Sequence, residues 1–286
     1  MHSSRFIALS LAALLLGLAA PAARAQPGPE YKPLVGQSGK DVIWVPTPQS
    51  LVDKMLEIAK VTPQDFVVDL GSGDGRTVIT AAKLGATALG IEFNPNMVEL
   101  SKHNADKAGV SERATFLNAD IFASDFSKAT VVTMFLLPSL NVKLRPTILD
   151  MKPGTRVVSN SFDMGDWKPD VTAHASQDCT GYCRTFLWIV PAKVEGTWQL
   201  GDGELSLKQS YQFFTGTLTT SAGDHPARRD HPDARRVSAI ADGTLEADKI
   251  TFTSGGVRYT GQVKGGVMEG TSSSEGKEAK WQATRK

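Results

Sequence analysis

The stretch Phe66-Val67-Val68-Asp69-Leu70-Gly71-Ser72-Gly73-Asp74-Gly75-Arg76 decides the fold. Five residues of buried-strand character run straight into a glycine-rich turn, and residues 77–84 then read as a helix. In such a strand-turn-helix, Gly71 lets the chain reverse, Gly73 lets a ligand approach the backbone, and Gly75 lets the helix pack closely on the strand. The spacing is G-x-G-x-G, one residue short of the G-x-G-x-x-G that cradles a pyrophosphate. With Asp69 in front of it, the shorter loop suits a ligand carrying an ammonium and a carboxylate better than a diphosphate.

Working outward, residues 49–60 place Leu51, Val52, Met55, Leu56 and Ile58 at helical spacing, and Val61-Thr62-Pro63 stops that helix. Strands are expected at 88–93, 114–117, 129–137 and 156–161, with helices at 96–108 and 142–151. Asn94 is the expected cap of the first of these helices, ahead of Pro95. Residues 172–179 and 182–190 read as a closing hairpin. Repeated β-α-β units of this length predict an α/β domain over residues 44–191: a doubly wound, Rossmann-like parallel sheet with right-handed crossovers.

After Pro191 the helical rhythm ends. Residues 196–200, 204–209, 212–219, 237–241, 245–253, 257–263 and 280–284 alternate apolar with polar side chains. Asp202-Gly203, Asp242-Gly243, Gly255-Gly256 and Gly265-Gly266 supply the expected turns. The reading for 195–286 is a small all-β barrel or sandwich. The charged insert 223–236 interrupts it; His225, Asp230, His231 and Asp233 offer ligand atoms, but nothing in their spacing fixes a geometry, so no metal is expected.

The first 25 residues are of another kind. Arg5, the uncharged apolar run 6–18 and Ala23-Arg24-Ala25 have the layout of a secretory signal peptide, with an uncleaved anchor as the alternative. The run is short for a membrane span, so no span is expected after cleavage, and residues 26–43 read as a linker. The expected location is periplasmic or secreted. Cleavage after Ala25 leaves 29 basic against 30 acidic side chains, so charge gives no reason to expect a nucleic-acid partner. Cys179 and Cys183 are too few for a structural zinc site; a small disulfide and two free thiols both remain open.

Two further acids fall where a bound ligand would need them. Glu92, 17 residues after Gly75 at the end of the second strand, can accept both hydrogen bonds of a ribose diol. Asp120, after the third strand, is placed either for an adenine amino group, with the backbone of Ile121 at the ring edge, or as a helix cap before Phe122.

The string 69–76, Glu92-Phe93-Asn94-Pro95 and Asn118-Ala119-Asp120-Ile121 together resemble class I, seven-strand, S-adenosylmethionine-dependent methyltransferases over about residues 44–191. With Val45-Pro46-Thr47-Pro48 added, the chain is similar to the mitochondrial protein-lysine methyltransferases of the ATP synthase c-subunit and the adenine nucleotide translocase. That resemblance implies S-adenosylmethionine as cofactor, held at its methionine end by Asp69, Gly71 and Gly73, at its ribose by Glu92 and at its adenine by Asp120, with Thr47 touching it from the N-terminal side. It also implies a protein lysine as methyl acceptor. The export signal and the β-rich tail depart from that group and leave the acceptor open.

Methyl transfer from a sulfonium needs alignment and exclusion of water rather than a triad or a metal. Candidate linings for the acceptor end are Phe135-Leu136-Leu137-Pro138 with Ser139, Trp44, and Phe162 with Trp167; of these Phe135 reads better as core. The cofactor is made in the cytosol while the leader directs the chain outward. Two other readings therefore stand beside the enzyme: an exported nucleoside- or S-adenosylmethionine-binding protein without turnover, and an envelope interaction protein acting through its β-rich tail.

Overall fold

Helix α1 (Gln49–Ile58) puts Leu51, Val52, Met55 and Leu56 on one buried face, as their spacing predicts. The computed structural model describes residues 31–175, 179–221 and 235–286; the signal-peptide reading and the four candidate metal ligands of the insert lie outside them. Strand β1 (Phe66–Leu70) runs through the middle of a seven-stranded sheet. Around it stand β2 (Thr87–Glu92), β3 (Ala114–Asn118), β4 (Val131–Met134), β5 (Arg156–Asn160), β6 (Val171–His174) and β7 (Arg184–Ile189). Their order is β3-β2-β1-β4-β5-β7-β6, with β7 antiparallel to both neighbours and the other six running the same way.

Helices α2 (Arg76–Lys83), α3 (Pro95–Lys107) and α4 (Pro138–Leu149) are the crossovers. Val67 and Val68 show why the sheet needs cover on both sides. Successive strand residues point to opposite faces, so Val67 joins the core under α1 and α2 while Val68 joins the core that holds Leu144 and Ile148 of α4. Asn94 caps α3 by accepting the Asn96 amide at 3.0 Å. Strand β4 stops at Met134 and α4 starts at Pro138, both earlier than expected. Proline at the first helical position lacks only an amide that has no partner there, so the helix begins on it.

The second half closes. Strands β8 (Gly196–Leu200), β9 (Gly203–Ser210), β10 (Phe213–Ser221), β11 (Arg235–Glu246), β12 (Lys249–Ser254), β13 (Val257–Lys264), β14 (Val267–Ser274) and β15 (Lys277–Arg285) form an eight-stranded antiparallel barrel, not a sandwich. Trp198, Leu205, Leu207, Phe214, Phe252 and Trp281 fill its interior. Trp281 donates to the carbonyls of Thr260 and Thr271, both at 3.1 Å, lying over the paired Gly261 and Gly270. The turn expected at Asp242-Gly243 is instead a bulge inside β11: the register shifts between Ala241 and Thr244, and the chain reverses at Ala247 and Asp248. A side chain on Gly243 would collide with the Phe214 carbonyl at 2.1 Å, so glycine serves close strand approach here rather than reversal.

Tyr211, between β9 and β10, fastens the barrel beside α4. Its ring stacks on Trp167 at 5.8 Å and its hydroxyl donates to Asp166 at 2.9 Å, while Gln212 donates to the Lys168 carbonyl at 2.9 Å. Trp167 is fully buried in that contact and in the core against Trp188, so it does not line the acceptor end as expected.

Candidate active site

The turn leaving β1 is tied to its neighbour strand, since the amides of Gly71 and Ser72 both donate to the Ile91 carbonyl at 2.8 and 3.1 Å. Gly73 then takes a left-handed φ of +55°, and its amide donates to Glu92 at 3.0 Å. A Cβ on Gly73 would sit 2.7 Å from Trp44 Nε1, so only glycine leaves this surface clear. Gly75, counted with the cofactor loop, keeps the helix-packing role read for it from the sequence. It does not line the cavity; a Cβ there would meet the Phe116 ring at 2.8 Å and Ser101 at 2.9 Å, so it seats α2 against β3 and α3.

Glu92 accepts from Gly73 through one oxygen and from the Asn94 amide, at 2.9 Å, through the other. Each carboxylate oxygen has a second lone pair, which leaves Glu92 able to take a diol from the cavity. Asp69 lies buried at the end of β1 and accepts the Thr133 hydroxyl at 2.6 Å. Burial pushes its carboxyl up to about 7, and Glu92 and Asp74 nearby push in the same direction. An ammonium placed against Asp69 would supply the missing countercharge. Thr47 is buried at the cavity wall, accepting from Asn160 at 3.2 Å while its carbonyl takes Arg76 at 2.8 Å.

Residues 37–43, expected to be linker, are part of the site. The amide of Gly36 donates to Trp44 O at 2.8 Å and that of Trp44 to Gln37 O at 2.9 Å, folding the segment into a small hairpin along the cavity. Its Lys40 ammonium meets Asp120 at 2.5 Å and stands 5.1 Å from the Phe93 ring centre. The other Asp120 oxygen accepts the Phe122 amide at 2.9 Å, which is the cap geometry. Asp120 and Ile121 do line the cavity; the Asp120 carboxylate serves the cap, one of its two expected roles, and pairs with the chain's own lysine, while each oxygen keeps a lone pair for a ligand. Hydrogen bonding from Lys40 holds the Asp120 carboxyl below the usual range.

Beyond Asp69 the cavity opens between the carboxyl ends of β4 and β5, where open α/β sheets bind ligands. Phe135 lines it and is only partly buried, correcting its reading as core. Phe162 and Tyr182 lie beside it. Pro138 and Ser139 do not line it, being exposed on the first turn of α4; Leu136 and Leu137 line it as expected, and Leu140 joins them. Cys179 and Cys183 are joined in a disulfide, closing the turn that carries Tyr182. Lys40 and Tyr182 escape a sequence reading; the one usable signal is the short Cys-Thr-Gly-Tyr-Cys ring itself.

The cavity measures about 450 Å³, within the ordinary range for small-ligand sites. Its donor set fits S-adenosylmethionine: a buried acid for the ammonium, a glycine cradle for the methionine backbone, and Glu92 for the ribose. Sheet order, glycine turn and acid placement define a class I S-adenosylmethionine-dependent methyltransferase.

The ANTKMT methyltransferase domain family matches residues 69–171. A protein-lysine N-methyltransferase of Saccharolobus islandicus is 48% identical over 131 residues, covering 45% of this chain and 81% of that protein. The human lysine N-methyltransferase of the ATP synthase c-subunit is 33% identical over 128 residues, 44% of this chain and 54% of the relative. A crystal structure described as an RNA methyltransferase from Salinibacter ruber with S-adenosyl-L-homocysteine is 47% identical; it covers 52% of this chain and 96% of its own, with a TM-score of 0.49. The chain belongs to the ANTKMT methyltransferase family and is an S-adenosylmethionine-dependent methyltransferase. It spans about half the length of the animal relatives.

Proposed function

We propose that the protein is an exported protein-lysine N-methyltransferase working in the periplasm or outside the cell. The observation that carries the acceptor class is one continuous cavity with two chemically different ends. Asp69, Gly73 and Glu92 mark the polar end, and Phe135, Phe162 and Tyr182 the aromatic one. The lysine methyltransferases among its relatives support the same reading. Export rests on the basic, apolar and small-residue succession of residues 1–25.

When bound, S-adenosylmethionine supplies an activated methyl: the neutral amine's lone pair makes the N–C bond as the C–S bond breaks, its pair stays on sulfur, and the lysine's ammonium proton has gone to solvent. The chain's part is binding and alignment. Asp69 and the 71–73 turn would fix the methionine end, Glu92 the ribose, and the Lys40 hairpin would lie along the cofactor. Apart from the rings, the aliphatic walls of Leu136, Leu137 and Leu140 favour the uncharged amine that attack requires, since an unperturbed lysine holds its proton to about pH 10.4.

Calorimetric titration with S-adenosylmethionine and S-adenosylhomocysteine tests the cofactor end. Gly73→Arg fills the cradle and should weaken binding by at least about 100-fold, and Glu92→Ala by roughly tenfold. Incubation with labelled cofactor and an envelope protein fraction, followed by peptide mapping, tests the acceptor end. Label found on lysine side chains supports the proposal; label found only elsewhere, or none with cofactor bound, rejects it.

A further inference from the structure

Three aromatic rings from three separate elements converge at the cavity mouth. Phe135 follows β4, Phe162 follows β5, and Tyr182 comes from the turn before β7. Tyr182 meets Phe135 edge-on at 5.1 Å and Phe162 at 6.0 Å, while Phe135 and Phe162 stack at 5.9 Å. Core packing does not account for Tyr182. It is 48% exposed, and its backbone holds a left-handed φ of +56°, a conformation that is costly for a non-glycine residue. What keeps it in place is covalent: the Cys179–Cys183 bond closes a ring of which Tyr182 is a member. Backbone bonds anchor the far side of that ring, from the Ala175 amide to Cys183 O and from the Ser161 amide to Arg184 O, both at 2.8 Å.

The rings are also free of the chain's own cations. Among the described residues, side-chain cations stand over Phe93, Phe122, Tyr211, Phe186 and Trp198, and none over Phe135, Phe162 or Tyr182. Arg184, the nearest basic residue in sequence, is turned onto Phe186 instead, at 4.8 Å. Ring faces attract a desolvated cation through their quadrupole, and several rings around one opening make a site for an alkylammonium.

We propose that Tyr182, presented by the disulfide-closed turn, completes with Phe135 and Phe162 a three-ring site that receives the acceptor's alkylammonium group, so that reducing the disulfide weakens acceptor capture while leaving cofactor binding intact. The inference rests on the lysine methyltransferase reading and names how that enzyme selects its acceptor. Positive charge is present on the incoming ammonium, is shared along the line of transfer, and remains on the methylated product. A ring site therefore discriminates a cationic side chain from a neutral one at every methylation stage. In an oxidising compartment the turn stays closed. A phosphine reductant opens it by taking up oxygen from one water as the two sulfurs gain two electrons and two protons to become thiols.

The probe is capped Nε-trimethyllysine, compared with its neutral isostere in which carbon replaces the ammonium nitrogen. Both are titrated by nuclear magnetic resonance into the cofactor-free and the S-adenosylhomocysteine-loaded protein. The cation should bind at least about tenfold more tightly than the isostere. Tyr182→Phe keeps the ring and should keep the preference within about twofold, whereas Tyr182→Leu and phosphine-reduced wild type should lose most of it. The affinity for S-adenosylhomocysteine should be the same in all four, which also checks folding. Equal binding of cation and isostere, binding of neither, or a preference that survives in Tyr182→Leu or after reduction, overturns the proposal. Failure to bind S-adenosylhomocysteine counts instead against the methyltransferase reading, and the cation preference is still scored on the cofactor-free protein.

Discussion

The parallel sheet and the barrel are both built from short strands, yet the sheet opens a cavity at its strand ends while the barrel packs its own interior. In the sheet, every crossover leaves a strand end where two loops part, and the cavity occupies that gap above β1, β4 and β5. In the barrel, the described connections return each strand beside its neighbour through a tight turn, and side chains such as Trp198, Phe252 and Trp281 fill the space that closure creates. Strand-rich sequence therefore specifies a binding site in one half and a packed support in the other. What separates them is connectivity rather than composition.

That contrast is most easily broken from the barrel side. Phe252 is fully buried and touches three other rings, at 4.6 to 5.9 Å. Phe252→Ala should cost about 3–5 kcal/mol of stability by chemical denaturation. If the barrel is a support, the folded variant should bind S-adenosylmethionine as wild type does; a lost site in a folded variant would contradict the division of labour.

A smaller, pH-dependent effect sharpens the sheet side. Because burial raises the Asp69 carboxyl to about 7, the free protein carries a proton there at mildly acidic pH, and binding a cation must expel it. Affinity for S-adenosylmethionine should hold above pH 7 and fall by up to about tenfold per unit below it. The stability of the cofactor-free protein should move the other way. A carboxyl whose folded pKa exceeds its unfolded value costs stability above the folded pKa, and that cost shrinks as pH falls toward the ordinary range. Calorimetry and thermal melts between pH 5.5 and 8 read both; Asp69→Asn should flatten both profiles, and a flat wild-type affinity profile would remove Asp69 from cation binding.

The smallest effect concerns the Lys40 hairpin. Its ion pair with Asp120 is partly exposed, so Lys40→Met should weaken cofactor binding by less than about fivefold, with the wild-type advantage shrinking as salt is added. A loss of 100-fold would mean that Lys40 itself contacts the cofactor.

These regions differ equally in what the sequence reveals of them. The glycine turn is legible because local chemistry sets it: a strand, three glycines and an acid within eleven residues. The barrel is legible as alternation, although Asp242-Gly243 misleads because a bulge and a turn draw on the same residues. The Lys40 hairpin carries no periodicity, and the partner that seats it is 80 residues away. Phe135 looks like core because an aromatic after a buried strand usually is; only the positions of Phe162 and Tyr182 show that it faces a cavity. Gly75 is legible as a packing glycine, but the ring it makes room for, Phe116, is 41 residues on.

The barrel's closing seam has a consequence for the order in which the chain can become itself. Its first strand pairs with its last, β8 with β15, through Ala283–Leu200, Thr284–Gln199 and Arg285–Trp198. The sheet can be complete once β7 has been made, but the barrel must wait for the final strand to emerge before its two edges can meet. Until then β8 and β14 present unpaired edges around an incompletely filled interior, and because a chain is made from its N-terminus that interval falls at the end of synthesis. The methyltransferase half would be finished first, with its support the last part to lock.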